Sequence, residues 1–430
     1  MSRDYEPILA NDILRIHEKA HIEDYENQSV IVNPDKGTWV KIESEVGEIL
    51  KNNDNVPLAR LIGNTHDFEQ AKKFLGELID LELVERACSG YGRIYLSSTE
   101  RCNLNCKTCY RCTVCRDDAE TFELIETISK IALLKPKELV ITGGEATLRN
   151  DICDILDAAN KSGSKVVLFT NGTLMNAKLA EYLVENKVKV QISVDSLNQI
   201  TNDYIRGKNS FSTAKETIER LLKDGLEDLE VSMTLVDHSR ENIYETYKYW
   251  AGKGVKFHLS LFMDMHPDRG MVYGGNNDDL VRNTLNFIER SINDLNYEEN
   301  MSMSQAMELL PGRGCNAGKN ILAISQRGEV YPCHLLMFEG MAKNIDDIVG
   351  HRGNAFNMPL IGEIESCKEC DIKYFCKGGC RAAAYANTDN LWGKDPQCET
   401  YRALIRPFLW AWDDSLDSKE NINRVRKLIH

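Results

Sequence analysis

The spacing of hydrophobic positions changes character along the chain. The stretch NQSVIVNPDKGTWVKI alternates polar and apolar residues around Asn33-Pro34-Asp35-Lys36-Gly37. This predicts a β-hairpin, because Pro presets one turn dihedral and Gly supplies a positive one. SEVGEILKN, PLARLIGN and DFEQAKKFLGELIDLELV follow, each with apolar residues at helical spacing. A small sheet followed by three helices predicts a winged-helix-like module over residues 1–92, and the Gly- and Ser-bearing ACSGYG reads as its linker.

From residue 93 to 262 the pattern becomes strand–helix alternation. RIYLSST, ELVITGG, KVVLFTNG, VKVQISVD, LEVSMTLV and KFHLSLF are the strand candidates, separated by helical patterns such as TFELIETISKIALL, NAKLAEYLVEN and STAKETIERLLKDG. Parallel strands need return connections of that length, so the prediction is an α/β fold with a partial (β/α)6 barrel. Ligands of such sheets gather at the C-terminal ends of the strands. Two bridging helical stretches extend this domain to residue 312. A cysteine-rich segment with short turns and little periodicity covers residues 313–400. The last part, 401–430, reads as a C-terminal helix, with YRALIRPFLWAW as an amphipathic docking face rather than a membrane anchor.

Composition narrows the classes. A chain of 430 residues is long for one core, and 42% hydrophobic with 27% charged residues describes a soluble globular protein. The net charge of −14 argues against nucleic acid as a partner, since phosphates call for a basic surface. No apolar run is long enough to span a bilayer, and the N-terminus lacks a basic-then-apolar signal pattern, so the expectation is a cytoplasmic protein with no membrane partner.

In a reducing compartment, 14 cysteines point to metal or redox chemistry rather than disulfides. They cluster. Cys102, Cys106 and Cys109, in STERCNLNCKTCY after the first barrel strand, place three thiolates on one tight loop. Three protein ligands on a cubane cluster leave one iron open. By spacing alone, a zinc knuckle of Cys106, Cys109, Cys112 and Cys115 competes about equally. ELVITGGEATL then puts Gly143, Gly144 and Glu145 at the end of the second strand, where a bare backbone edge suits close approach of a ligand. Cys153 reads as a small buried hydrophobe, and Cys88 carries no assignment.

Through CNLNCKTC and TGGEATL, residues 93–262 resemble the radical S-adenosylmethionine (SAM) superfamily. The resemblance implies a 4Fe–4S cluster on Cys102, Cys106 and Cys109 whose open iron chelates SAM, and reductive cleavage of SAM to a 5′-deoxyadenosyl radical. It also implies SAM contacts at Gly143, Gly144, Glu145 and Asn171, with Ser193 and Arg206 holding the SAM carboxylate. A reductant such as flavodoxin or ferredoxin is implied as a partner. Thr108 stands where the family usually has an aromatic residue, and Tyr110 follows the last cysteine instead. Cys112 and Cys115 are extra to the pattern.

GCNAGKNILAISQRGEVYPC, SCKECDIKYFCKGGC and KDPQCET together resemble the SPASM domain, a twin-cluster extension of peptide-modifying radical SAM enzymes. The resemblance implies one auxiliary 4Fe–4S cluster on Cys315, Cys333 and Cys380, with an open iron. It implies a second on Cys367, Cys370, Cys376 and Cys398, for three clusters in all. His334 stands where formylglycine-forming relatives place an aspartate base.

The N-terminal module resembles the peptide-recognition element of ribosomal peptide maturases, in which a leader peptide adds as a strand to a sheet edge; a generic winged helix is the bland alternative. The combined expectation is a radical SAM maturase of a leader-bearing precursor peptide, forming a thioether crosslink. Carbon–carbon crosslinking is the close alternative. An iron–sulfur electron carrier and a zinc-dependent peptide-binding adaptor are remote ones.

Overall fold

The computed structural model describes residues 13–17, 19–25, 28–51, 56–57, 68–87, 90–111, 117–236, 243–263, 265, 277–294, 301–303, 312, 314–338, 340–350, 356–411, 413 and 415–427. The helix expected over PLARLIGN, and Cys88, Cys112 and Cys115, lie outside the described residues. Contacts divide the chain into two units, Met1–Gly90 and Tyr91–His430.

The first unit contains strands β1 (Ile13–Ile16), β2 (His21–Tyr25), β3 (Gln28–Asn33), β4 (Thr38–Glu43), β5 (Val56–Pro57) and β6 (Val84–Ala87). β3 and β4 form the predicted hairpin, with Asn33 opposite Thr38 and the turn closing over Pro34–Gly37. β2 adds antiparallel to β3, so the order among the described residues is β2-β3-β4, with β2 and β4 outermost. Helices Ser44–Lys51 and Phe68–Asp80 supply Leu50, Leu75 and Leu78, which pack with Ile31 and Ile42. A second sheet, β5-β1-β6, was not anticipated, because its strands are too short to display a period.

In the second unit, β7 (Arg93–Ser97), β8 (Glu138–Thr142), β9 (Lys165–Thr170), β10 (Lys189–Ser193), β11 (Leu229–Leu235) and β12 (Lys256–Leu261) are the six expected parallel strands, paired in sequence order. Their alternation sorts the side chains between two faces. Ile94, Leu96, Leu139, Ile141, Val190, Ile192, Val231 and Met233 join the large core under the crossover helices. The opposite face begins apolar on β7–β9, with Tyr95, Val140 and Val167. It turns polar on β10–β12, where Ser193, Ser232 and His258 stand side by side in register.

Three features depart from expectation. β13 (Met301–Met303) adds in parallel beyond β12. The cysteine-rich segment contains β14 (Ile321–Ile324), β15 (Glu329–Tyr331) and β16 (Lys343–Asn344); β14 pairs in parallel with β7, and the sheet grows to ten strands. Gly328, with φ at 78°, makes the tight return between β14 and β15. The C-terminal segment is two helices, Cys398–Ala411 and Ser418–Lys427, rather than one. Asp417 caps the second by accepting from the Glu420 N–H at 2.8 Å, while Asn421 donates back to the Asp413 carbonyl at 2.9 Å. Pro407 is buried inside the first of these helices.

Candidate active site

The cysteine loop leaves the C-terminal end of β7 and is pinned to the end of β8. Ser98 N–H donates to the Thr142 carbonyl at 2.8 Å, Gly144 N–H to Thr99 at 2.9 Å and Glu145 N–H to Arg101 at 2.8 Å. Here the glycines have a steric reason. A Cβ on Gly143 would run into the Thr99 carbonyl, and one on Gly144 into that of Arg101. Their bare edge makes room for the strand leading to Cys102.

Glu145 is only 2% exposed, and its carboxylate is committed within the protein. Oε1 accepts from Thr147 N, Thr147 Oγ1 and Thr170 Oγ1 at 3.1, 2.6 and 2.6 Å, and Oε2 from Asn171 N at 2.7 Å. It joins the ends of β8 and β9. Asn171 in turn donates from Nδ2 to Oδ1 of Asn103, inside the cysteine loop, at 2.9 Å.

The far side of the loop rests on helix Gln199–Arg206. Lys107 N–H donates to the Ile205 carbonyl at 2.8 Å, and the Cys106 thiol to that of Arg206 at 3.5 Å. The Arg206 fork faces Asp195, which is fully buried: Nη2 donates to Oδ1 at 3.0 Å and Nε lies 2.7 Å from Oδ2. Ser193 ends β10, half-buried.

Sequence reasoning missed the clamp at the base of the loop. Thr99 Oγ1 donates to Asp118 at 2.5 Å, and Arg101 pairs with the same carboxylate. Buried Arg149 donates to the carbonyls of Ser98 at 3.2 Å and Ala119 at 3.0 Å, and to Asp151 at 2.6 Å. Nothing in TLRND marks Arg149 as the residue that joins both ends of a loop. Only the fold brings those carbonyls together.

Burial raises the Cys102 thiol, against a contact from the Leu104 N–H. Burial pushes Cys106 up to about 11, against the charge of Arg206.

Burial also raises downstream thiols, with the charges of neighbouring cysteines adding. Burial raises Cys333 to about 12, with Cys315 adding to it; burial also raises Cys380, with Asp395, Cys315 and Cys333 adding. Burial pushes Cys376 up to about 11, with Cys367, Cys370 and Cys398 adding. Gly378 and Gly379, at φ of 81° and 75°, turn the chain so that Cys380 N–H donates to Asp395 at 2.5 Å. His334 Nδ1 lies 3.5 Å from Cys333 Sγ. None of the eleven described cysteines is in a disulfide, and Cys153 is half-buried beside the core. Among the described residues, no three His, Cys, Asp or Glu side chains gather at the position of a single metal ion.

Residues 96–250 match the family model of the radical SAM superfamily. They form a radical SAM domain. Members of that superfamily use SAM and a 4Fe–4S cluster. The donor set fits such a cluster: three thiols outside any disulfide on one strand-end loop, Cys102 exposed for access and Cys106 raised by burial, so that a cation favours its thiolate.

The chain is 26% identical to the mycofactocin maturase MftC of Mycolicibacterium smegmatis, over 70% of this chain and 80% of that protein. It is 28% identical to the subtilosin biosynthesis protein AlbA of Bacillus subtilis, over 71% of this chain and 72% of that one. The fold resembles Streptococcus suis SuiB bound to its precursor peptide SuiA, with a TM-score of 0.59 at 16% identity, covering 90% of this chain and all of that one. Among the described residues no helix is long and apolar enough to cross a membrane.

Proposed function

We propose that this protein is a radical SAM maturase of a ribosomally made precursor peptide. One observation carries the reading: Cys102, Cys106 and Cys109 stand on the loop after β7 of the domain that matches the radical SAM model, and seven more cysteines outside any disulfide follow between Cys315 and Cys398. The resemblance to MftC and AlbA, over about 70% of the chain, supports a peptide substrate. Cys102, Cys106 and Cys109 would hold the SAM-binding cluster, whose chemistry would be one-electron cleavage of SAM to methionine and a 5′-deoxyadenosyl radical. The backbone of Gly143 and Gly144, with Ser193 and Arg206, forms the SAM seat. Glu145 and Asn171 act by holding the strand ends and the loop in place. Cys315, Cys333 and Cys380 hold a first auxiliary cluster, and Cys367, Cys370, Cys376 and Cys398 a second.

A first auxiliary cluster held by three cysteines would keep one iron open to a peptide thiolate. It would take up the electron released when that sulfur bonds to the carbon from which the 5′-deoxyadenosyl radical has removed hydrogen, which favours thioether formation. Carbon–carbon crosslinking is the reading that a cysteine-free precursor would favour. The precursor's leader adds along the outer side of β4, where Trp39 is 61% exposed. An external low-potential carrier such as flavodoxin or ferredoxin delivers the electron.

The test is anaerobic reconstitution with iron and sulfide, followed by dithionite and SAM. Three clusters per chain and formation of 5′-deoxyadenosine are expected. Changing Cys102, Cys106 and Cys109 together to Ala should abolish the product and leave the auxiliary iron. A colourless zinc protein would refute the proposal. A short cysteine-bearing reading frame beside the gene would supply the substrate for the thioether assay.

A further inference from the structure

Two positions that depart from the family's pattern, Tyr110 and His334, meet in the fold. The His334 ring lies against Tyr95, with centroids 4.2 Å apart and planes tilted by 35°. Tyr110 meets the same ring edge-on at 5.3 Å and 78°. The edge-on pair falls in the favourable range for aromatic contacts, and the tilted pair with Tyr95 is a closer van der Waals contact. Tyr95 projects from β7, where Arg93 Nη1 donates to its hydroxyl at 3.4 Å. The imidazole is therefore held on two sides by residues from two different segments. Held this way, it presents Nδ1 to the Cys333 sulfur at 3.5 Å.

A cysteine sulfur bound to iron is an acceptor, so a ring nitrogen at that distance fits a hydrogen bond when it carries the proton. It fits ligation poorly, because a nitrogen on another iron of the cluster would stand further from this sulfur. Hydrogen bonds to cluster sulfurs stabilise the reduced, more negative state and raise the reduction potential. We infer that His334 tunes the first auxiliary cluster by donating Nδ1–H to the Cys333 sulfur, with Tyr95 and Tyr110 as positioning residues for the ring. This rests on the proposed ligation of that cluster by Cys315, Cys333 and Cys380. Tyr110 directly follows Cys109, so the same ring contact ties the SAM-cluster loop to the auxiliary site.

The experiment is an EPR-monitored redox titration of the anaerobic holoenzyme, without peptide, with iron counted for each variant. His334→Ala should lower the midpoint potential of one auxiliary cluster and leave the other two unchanged. Tyr110→Leu should lower the same potential by less, while Tyr110→Phe keeps the ring and should retain the wild-type value. Unchanged potentials in both His334→Ala and Tyr110→Leu would overturn the inference. So would a strong nitrogen coupling in the wild-type pulsed EPR spectrum that His334→Ala removes, since that marks a direct ligand. A wild-type protein with only one cluster would fail the iron count first, which separates loss of the functional reading from loss of the tuning role alone.

Discussion

Arg206 shows how much a single side chain's role depends on what faces it. Its fork is engaged with Asp195, a carboxylate with no exposed surface, whose Oδ1 also accepts from the Thr234 N–H at 2.8 Å. Removing one partner of a buried pair leaves an uncompensated charge, so Arg206→Met should cost about 3–5 kcal/mol in chemical denaturation. Arg206→Met with Asp195→Leu should recover much of that loss, because both charges are then gone. Glu145 makes a parallel case without a cation. Glu145→Gln replaces an acceptor oxygen with a donor amide among four donors, and should cost about 1–3 kcal/mol. A variant as stable as the parent would show that the carboxylate is not the brace between β8 and β9.

At the scale of elements, the cysteine loop depends on close contact between two strand ends. Gly144→Ala sets a methyl against the Arg101 carbonyl, so the loop must shift. The expected result is lower iron content at the SAM-cluster site, with the auxiliary cysteines still loaded, and a stability loss of about 1–3 kcal/mol. The clamp beneath the loop gives a pH signature. Burial alone would raise Asp118 and Asp151, but hydrogen bonds from Arg101 and Thr99 to the first, and from Arg149 and Thr121 to the second, hold both below 3.8. Both are ionised in the folded and unfolded chains at neutral pH. As pH falls through 3.8 the unfolded chain takes up protons that the folded one still refuses, and stability declines. The urea midpoint should fall between about pH 5 and pH 3, and Arg149→Met should flatten that fall.

At the scale of the whole second unit, the cysteine-rich segment is part of the barrel sheet. β14 covers the edge of β7 in parallel register, from Ile321 opposite Arg93 to Ile324 opposite Leu96, and Gln326 Oε1 accepts from the Ala119 N–H at 2.9 Å. A chain ended at residue 312 would leave the β7 edge and the apolar side chains beside it uncovered. Such a fragment is expected to elute as aggregates in size-exclusion chromatography. A well-behaved monomer would mean that the hairpin is dispensable. A further link runs from Gln397 Nε2 to the Phe262 carbonyl at the end of β12, so the barrel mouth and the last cysteine's segment are braced together.

The six parallel strands, the hairpin at Pro34–Gly37 and the three-cysteine loop were legible in the amino-acid order, because each rests on local period or fixed spacing. The Gly143-Gly144-Glu145 strand end was legible too, although its glycines serve the approach of the cysteine loop and its carboxylate braces β9. β14 was not legible, since a four-residue strand carries no period and its partner lies over two hundred residues earlier. The Arg149 clamp, which reaches back 51 and 30 residues to Ser98 and Ala119, and the Arg206–Asp195 engagement across 11 residues depend on where the folded strand ends bring those groups. Cys102, Cys106 and Cys109 could be read as a metal loop from spacing alone. That Tyr110, beside them, would touch His334, beside Cys333, was decided only when β7 and the β14–β15 pair packed into one sheet.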